Sequence, residues 1–243
     1  RKYKFKYAST SSSDVFENKD INTIVIATRH DSHADLLVEG IKNNKNIFIE
    51  KPICLNIEEL NKIELAVADQ YEYCKSQSLN PPILMVGFNR RFSPLVINLK
   101  KELDLLPKTK AFIYTCNAGR LPLDHWNHVP EIGGGRMLGE ACHFVDLIRF
   151  LVDSPISSLK CTYALKSESV RDIFTIQISF HDGSIGTIHY LSNGSNSFPK
   201  ERLEVFSSGS ILRIDNFKKL SAWGLPKFKN QNLFNIDKGQ KNC

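Results

Sequence analysis

The 243-residue sequence lacks most of the features that would place it outside ordinary globular proteins. No apolar run approaches the roughly 18 residues a membrane-spanning helix needs, and the N-terminus has no apolar core of the kind that marks a secretory signal. Six cysteines lie far apart (Cys54, Cys74, Cys116, Cys142, Cys161 and Cys243) and form no C-x-x-C pair. They read as reduced thiols of a cytoplasmic protein, not as a disulfide framework or a zinc site. Low-complexity tracts and internal repeats are absent. Lysine and arginine (32) exceed aspartate and glutamate (26), yet the basic residues cluster only at 1–6 and 227–229, which excludes a nucleic-acid-binding stripe and leaves a bias toward anionic ligands. The sequence also lacks the G-x-G-x-x-G turn with which a dinucleotide-binding sheet opens, where only glycine lets the backbone approach a pyrophosphate.

With 24% charged and 42% hydrophobic residues, the chain has the composition of a folded protein able to bury a sizeable core. Its first half alternates short apolar runs with helical patterns. "TIVIAT" (23–28) reads as a strand buried on both faces, followed by a helix in "DSHADLLVEGIKNN" with Asp31 or Ser32 as cap. "NIFIE" is the next strand. Asn56, with Glu59 three residues on, has the form of a capping box, and Leu60, Ile63 and Val67 recur on one face of the helix it opens. "PPILMVGF" (81–88) supplies a third strand. This order describes a parallel, doubly wound sheet of Rossmann type, incomplete because residues 1–22 hold at most one strand and part of a helix. From about residue 109 the runs lengthen and alternate, with "HDGS" as a turn signal between two of them. The expected fold class is therefore α/β: a partial Rossmann-like domain over 1–110, then an α+β domain with an open antiparallel sheet over 111–243. One helix, "LGEACHFVDLIRFLV" (138–152), interrupts the second domain.

Candidate chemistry gathers at predicted strand ends and on that helix. Glu50 and Lys51 follow the strand "NIFI" directly and precede Pro52, and in open α/β sheets ligands bind at the carboxyl ends of strands. His143 and Asp146 share one helix face, opposite the apolar set Phe144, Leu147, Ile148 and Leu151. In "DHWNH" (124–128), His125 and His128 invite a metal reading, but no third ligand is evident and Trp126 between two prolines reads as a packed loop, so no metal is assigned. His33 reads as a solvated first-turn residue, and Arg91 equally as a surface charge or a ligand contact.

"IATRHDSHADLL", "IFIEKP", "MVGFNRRFSP" and "GGGRMLGEACHFVDLIRFL", in this order, resemble the Gfo/Idh/MocA oxidoreductases, named for glucose-fructose oxidoreductase, inositol dehydrogenase and rhizopine catabolism. The fit is best to the branch fused behind a zinc-alcohol-dehydrogenase-like domain. The resemblance implies an NAD- or NADP-dependent oxidoreductase acting on a hydroxyl of a sugar, sugar nucleotide or polyol, N-terminally incomplete here and active only with the glycine-rich unit present. It implies that Lys51 lies beside the nicotinamide and the reacting hydroxyl, with Glu50 orienting it and Pro52 in cis. It places Thr28, Arg29, His30, Asn89 and Arg90 at the cofactor, His125, Trp126 and Asp146 at the substrate pocket, and His143 as acid/base. Many members carry an aspartate four residues before that histidine. Gly139 stands there in this chain, and Glu140, three before, is the expected substitute. The family also implies a homo-oligomer formed through the antiparallel sheet. Membrane and nucleic-acid partners find no support. The alternatives are a non-catalytic fragment or remnant domain used for binding or oligomer contacts, and cofactor-dependent glycoside cleavage.

Overall fold

The computed structural model describes residues 5–164 and 172–243. Residues 1–4, where the N-terminal basic cluster begins, and Leu165, at the end of the run "LKCTYAL", lie outside them. The chain divides into two compact units, one of residues 1–87 with 130–134 and one of residues 88–129 with 135–243.

In the first unit a short helix α1 (Ser13–Phe16) precedes β1 (Thr23–Ile26), α2 (His33–Lys42), β2 (Asn46–Ile49), α3 (Ile57–Ser76) and β3 (Leu84–Val86). The strands form a parallel sheet in the order β1-β2-β3, with Ile24 opposite Ile47 and Ile47 opposite Leu84. Helix α2 packs on β1, β2 and α3, and Ile24, Ile26, Leu37, Ile41, Ile47, Ile49 and Ile63 close the core between them. The expectation that "TIVIAT" is buried on both faces is corrected: its residues alternate, with Ile24 and Ile26 inside and Val25 68% exposed. The capping box is present as read. Asn56 Oδ1 accepts from Glu59 N at 2.8 Å, and Glu59 Oε2 accepts from Leu55 N at 2.7 Å. Neither Asp31 nor Ser32 caps α2 through its side chain; Ser32 Oγ instead turns back to donate to Arg29 O at 2.8 Å.

The second unit begins at Phe88, ahead of the division expected near 110. The reason is the helix α4 (Pro94–Asp104), whose Leu95, Val96, Leu99 and Leu103 belong to the core of the larger sheet. That sheet is built from β4 (Ala111–Asn117), β5 (Ile156–Tyr163), β6 (Ile173–Phe180), β7 (Ile185–Leu191), β8 (Glu201–Ser207), β9 (Ser210–Asp215), β10 (Lys219–Trp223) and β11 (Gln231–Asn232). Their order is β11-β10-β9-β8-β4-β7-β6-β5. It is mixed, not purely antiparallel: β4 and β7 pair in parallel, because the chain between them makes a helical crossover and two further strands before returning. The turn at Asp182 and Gly183 (φ +85°) joins β6 to β7 as the sequence indicates.

The helix read over 138–152 opens with a π-helical turn, Met137–Ala141, and continues as α5 (Cys142–Val152), which ends at Asp153 in the left-handed region (φ +58°). Phe144, Leu147, Ile148 and Leu151 are buried as the periodicity requires, with Phe144 stacked on Tyr114 at 4.5 Å between ring centres. Ile185, Phe206 and Trp223 are apolar side chains that the sheet leaves exposed. Among the described residues no helix is long and apolar enough to cross a membrane.

Candidate active site

In the first unit the parallel ladder runs one step past the strands. Glu50 N donates to Ile26 O at 2.9 Å and Gly87 N donates to Ile49 O at 2.8 Å, which sets the three strand ends in one row. Glu50 is exposed at the end of the central strand, and its carboxylate lies over Gly87: a Cβ added at Gly87 would meet Glu50 Oε2 at 3.1 Å and Phe48 Cζ at 3.3 Å. Lys51 follows, half-buried, and the Lys51–Pro52 peptide is cis.

Beyond β1, Thr28 Oγ1 bonds Ser32 Oγ at 2.7 Å, and Arg29 pairs with Asp31 at 3.1 Å in solvent. His30 Nδ1 meets Gly133 O at 2.9 Å. Burial lowers the His30 pKa, the Gly133 bond works against that, and the nearby charge of Lys51 adds to the lowering. His33 is not the solvated residue expected. It is 0% exposed, with Nδ1 at 2.7 Å from Pro52 O and Nε2 at 3.1 Å from Thr28 O.

The second unit holds the remaining candidates. His143 lies half-buried on α5, its ring edge-on to Phe88 at 6.1 Å. Arg90, expected at the cofactor, has an ion-pair partner within its own unit. Its guanidinium forms two bonds of 3.0 Å to Glu201, and it is 8% exposed beside the rings of Phe144 and Phe217. Lys238 Nζ reaches the same carboxylate at 2.5 Å and Tyr114 Oη donates to it. Burial alone would raise Glu201, but Arg90 and Lys238 outweigh it and hold its pKa down to about 2. The amide of Asn89 donates to Lys238 O at 2.8 Å, so the C-terminal segment secures this stretch of chain from two sides.

Glu140, expected to substitute for the family's aspartate, lies on the π-helical turn. The π-helical turn changes which residues share a face from the i, i+3 pattern of an α-helix. The carboxylate of Glu140 accepts from Arg136 Nε at 3.0 Å and lies 3.9 Å from Lys200 Nζ. Arg136, 3% exposed, also donates to Gly119 O at 2.7 Å. Asp146 is 9% exposed, and both its oxygens take the guanidinium of Arg91. Burial raises the Asp146 pKa, and Arg91 offsets this only in part. Asp146 therefore faces Arg91 and the wall of an apolar cavity of about 390 Å³ that Phe88, Leu138, Cys142, Arg149 and Leu159 also line. Arg91, ambiguous in the sequence, is the structural partner of Asp146.

In the "DHWNH" loop His128 Nε2 pairs with Asp172 Oδ2 at 3.0 Å, while His125 Nδ1 accepts from Asn127 N at 3.2 Å. Trp126 is 36% exposed and its ring lies 5.7 Å from that of His125. Among the described residues no group of three or more His, Cys, Asp or Glu side chains could hold a metal ion. Arg136, Asp172, Glu201 and Lys238 escaped the sequence reading. Only Arg136, four residues before Glu140, left a local signal there.

The first unit is thus a parallel sheet with a polar row at its strand ends, and the second a mixed sheet whose helix α5 carries a histidine. Residues 1–75 match the family model described as "Oxidoreductase family, NAD-binding Rossmann fold", and residues 110–212 match the GFO/IDH/MocA C-terminal domain. The chain belongs to the GFO/IDH/MocA oxidoreductase family. Inositol 2-dehydrogenase of Rhizobium meliloti is 31% identical over 83% of this chain and 59% of its own length. For scyllo-inositol 2-dehydrogenase (NAD(+)) of Bacillus subtilis the values are 28%, 60% and 40%. The chain thus spans about half the length of these relatives. Levoglucosan dehydrogenase, solved with NADH and levoglucosan, shares the fold at a TM-score of 0.78 and 19% identity, over 97% of this chain and 68% of that one.

Proposed function

We propose that this chain is part of an NAD-dependent dehydrogenase that oxidises a secondary hydroxyl of a polyol, sugar or sugar nucleotide. The observation that carries the reading is Lys51 at the end of the central strand, directly after Glu50, in a row of strand ends where Gly87 presents no side chain. Strand ends of that form suit the nicotinamide ribose: Glu50 and the Thr28 hydroxyl offer acceptors for ribose hydroxyls, and Arg29 and His30 stand on the same turn. NAD, when bound, supplies the acceptor for the hydride. Its choice over NADP follows from the relative named for NAD(+) and from the NADH in the levoglucosan dehydrogenase structure.

Lys51 is assigned to the reacting hydroxyl. An ammonium within hydrogen-bond reach of that oxygen favours alkoxide character as hydride departs. In the other unit His143 is assigned as proton acceptor, imidazole being the side chain whose unperturbed titration falls nearest neutrality. His125 and Trp126 are assigned to the sugar, where an aromatic face and a ring nitrogen suit a polyhydroxylated ring. Asn89 is kept near the cofactor. Arg90, Glu140 and Asp146 are assigned to holding these elements and not to the reaction. Fusion to an upstream zinc-alcohol-dehydrogenase-like domain, and pairing of copies through the exposed side chains of the large sheet, belong to the same proposal. The named relatives are dehydrogenases, so the non-catalytic remnant is set aside.

The test uses the full natural polypeptide with NAD and a panel of polyols, sugars and sugar nucleotides, with NADH formation followed at 340 nm. Lys51→Met is expected to lower kcat by about a hundredfold or more while NAD binding and the thermal transition stay in place. An unimpaired Lys51→Met enzyme would sink the assignment.

A further inference from the structure

We propose that His33 is a positioning residue: its imidazole ties the turn after β1 to the turn after β2 and thereby fixes the backbone from which Lys51 projects. The inference rests on the reading of Lys51 given above.

His33 is the first residue of α2 and is fully buried. Its two ring nitrogens face main-chain oxygens of separate strand-end turns, Nδ1 that of Pro52 at 2.7 Å and Nε2 that of Thr28 at 3.1 Å. A histidine buried merely for packing needs one acceptor; this one spans two carbonyls that lie beyond the last rungs of the sheet ladder. Pro52 is buried, and its carbonyl needs a donor from elsewhere, since a buried backbone oxygen left without one costs stability; Thr28 is exposed. A ring nitrogen that carries a proton donates to the carbonyl it faces.

The consequence falls on Lys51. On its N-terminal side the backbone is held by the bond from Glu50 N to Ile26 O at 2.9 Å. On its C-terminal side the next residue is proline, whose ring fixes φ, and His33 holds that proline's carbonyl. Lys51 is therefore bracketed by two fixed peptide groups. The second bracket is a side chain that belongs to neither strand. Through Nε2 the same ring also faces Thr28 O, on the turn where Arg29 and His30 stand.

The test compares wild type, His33→Leu, which keeps an apolar bulk and removes both nitrogens, and His33→Gln, which restores a donor. All are made in the full natural polypeptide. Each folded protein is acylated briefly with an amine-reactive ester, and the labelling of Lys51 relative to exposed Lys62 is read by mass spectrometry. His33→Leu is expected to change that ratio by about threefold or more, because amine reactivity follows the local environment of the ammonium. With a polyol substrate its kcat should fall by about tenfold to a hundredfold, as for a misplaced reacting group, and KM for NAD should rise as the Thr28 turn loosens. His33→Gln should recover part of these effects. An unchanged Lys51 ratio in folded His33→Leu overturns the proposal. If the leucine variant does not fold, an unchanged ratio in His33→Asn, too short to reach both carbonyls, does the same. A wild type that oxidises no polyol, sugar or sugar nucleotide refutes the dehydrogenase reading instead, and the labelling ratio still decides the role of His33.

Discussion

Replacing Glu201 by glutamine should destabilise the second unit while leaving its packing volume almost unchanged. Glu201 is 1% exposed and receives two bonds of 3.0 Å from Arg90, one of 2.5 Å from Lys238 and one from Tyr114. Its pKa falls from an ordinary 4.5 to about 2. At about 1.4 kcal/mol for each pKa unit, that difference corresponds to about 3 kcal/mol of folding stability. Glutamine leaves two cations facing a neutral group, and breaking a buried pair from one side costs about 3–5 kcal/mol, so the two routes agree. The sign follows from the depressed pKa. The contribution is complete above pH 4.5 and is lost as the pH falls from there through about 2. Urea unfolding of wild type and Glu201→Gln, read by fluorescence of Trp126 and Trp223, would give the difference at pH 7 and its narrowing below pH 4.5. Both tryptophans belong to this unit. A Glu201→Gln protein within about 1 kcal/mol of wild type at pH 7, or a gap that stays constant on acidification, would refute the account. The same reasoning makes Arg90→Met a stability variant. Loss of NAD affinity without loss of stability in that variant would return Arg90 to the cofactor.

Asn56→Ala removes the acceptor for Glu59 N at the start of α3 and should cost about 1 kcal/mol, seen as a lower urea midpoint for the first unit. Gly239→Ala should be costlier, at about 2 kcal/mol or more. Its φ of +84° disfavours a side chain, and the new Cβ would lie 2.4 Å from Asn89 O and 2.5 Å from Ser93 N, both backbone atoms that cannot swing away. A drop in melting temperature of several degrees would register it.

Local signals survived folding well where they depend on short spacings. The Asn56 capping box, the Asp182-Gly183 turn and the buried stripe Phe144, Leu147, Ile148 and Leu151 are set by residues within one or two turns of each other, and each is found as read. The boundary near 110 was drawn from the change to longer alternating runs, but α4 joins the later core because its apolar face fits the sheet formed by β9 and β10, a tertiary preference with no local mark. The parallel pairing of β4 with β7 has the same origin: strand patterns report burial, not direction.

Charged side chains were the least legible, for a physical reason. Arg90 and Arg91 are adjacent in the sequence, and either could have met a ligand. Their fates depend on partners 111 and 55 residues away, Glu201 and Asp146. A guanidinium binds a carboxylate of the protein or an anion of a ligand through the same fork of donors, so residue type alone cannot distinguish a structural arginine from a binding one. Lys51 differs in kind from both. Its position at the carboxyl end of the central strand follows from strand order and chain direction, which the alternation of strands and helices does encode. His33 combines the two cases: its place at the start of α2 is local, while the two carbonyls it meets lie on different turns and become neighbours only once β1 and β2 pair. Pairing of the strands therefore creates both the row that carries Lys51 and the gap that His33 fills, which is why the site cannot be specified by its motif residues alone.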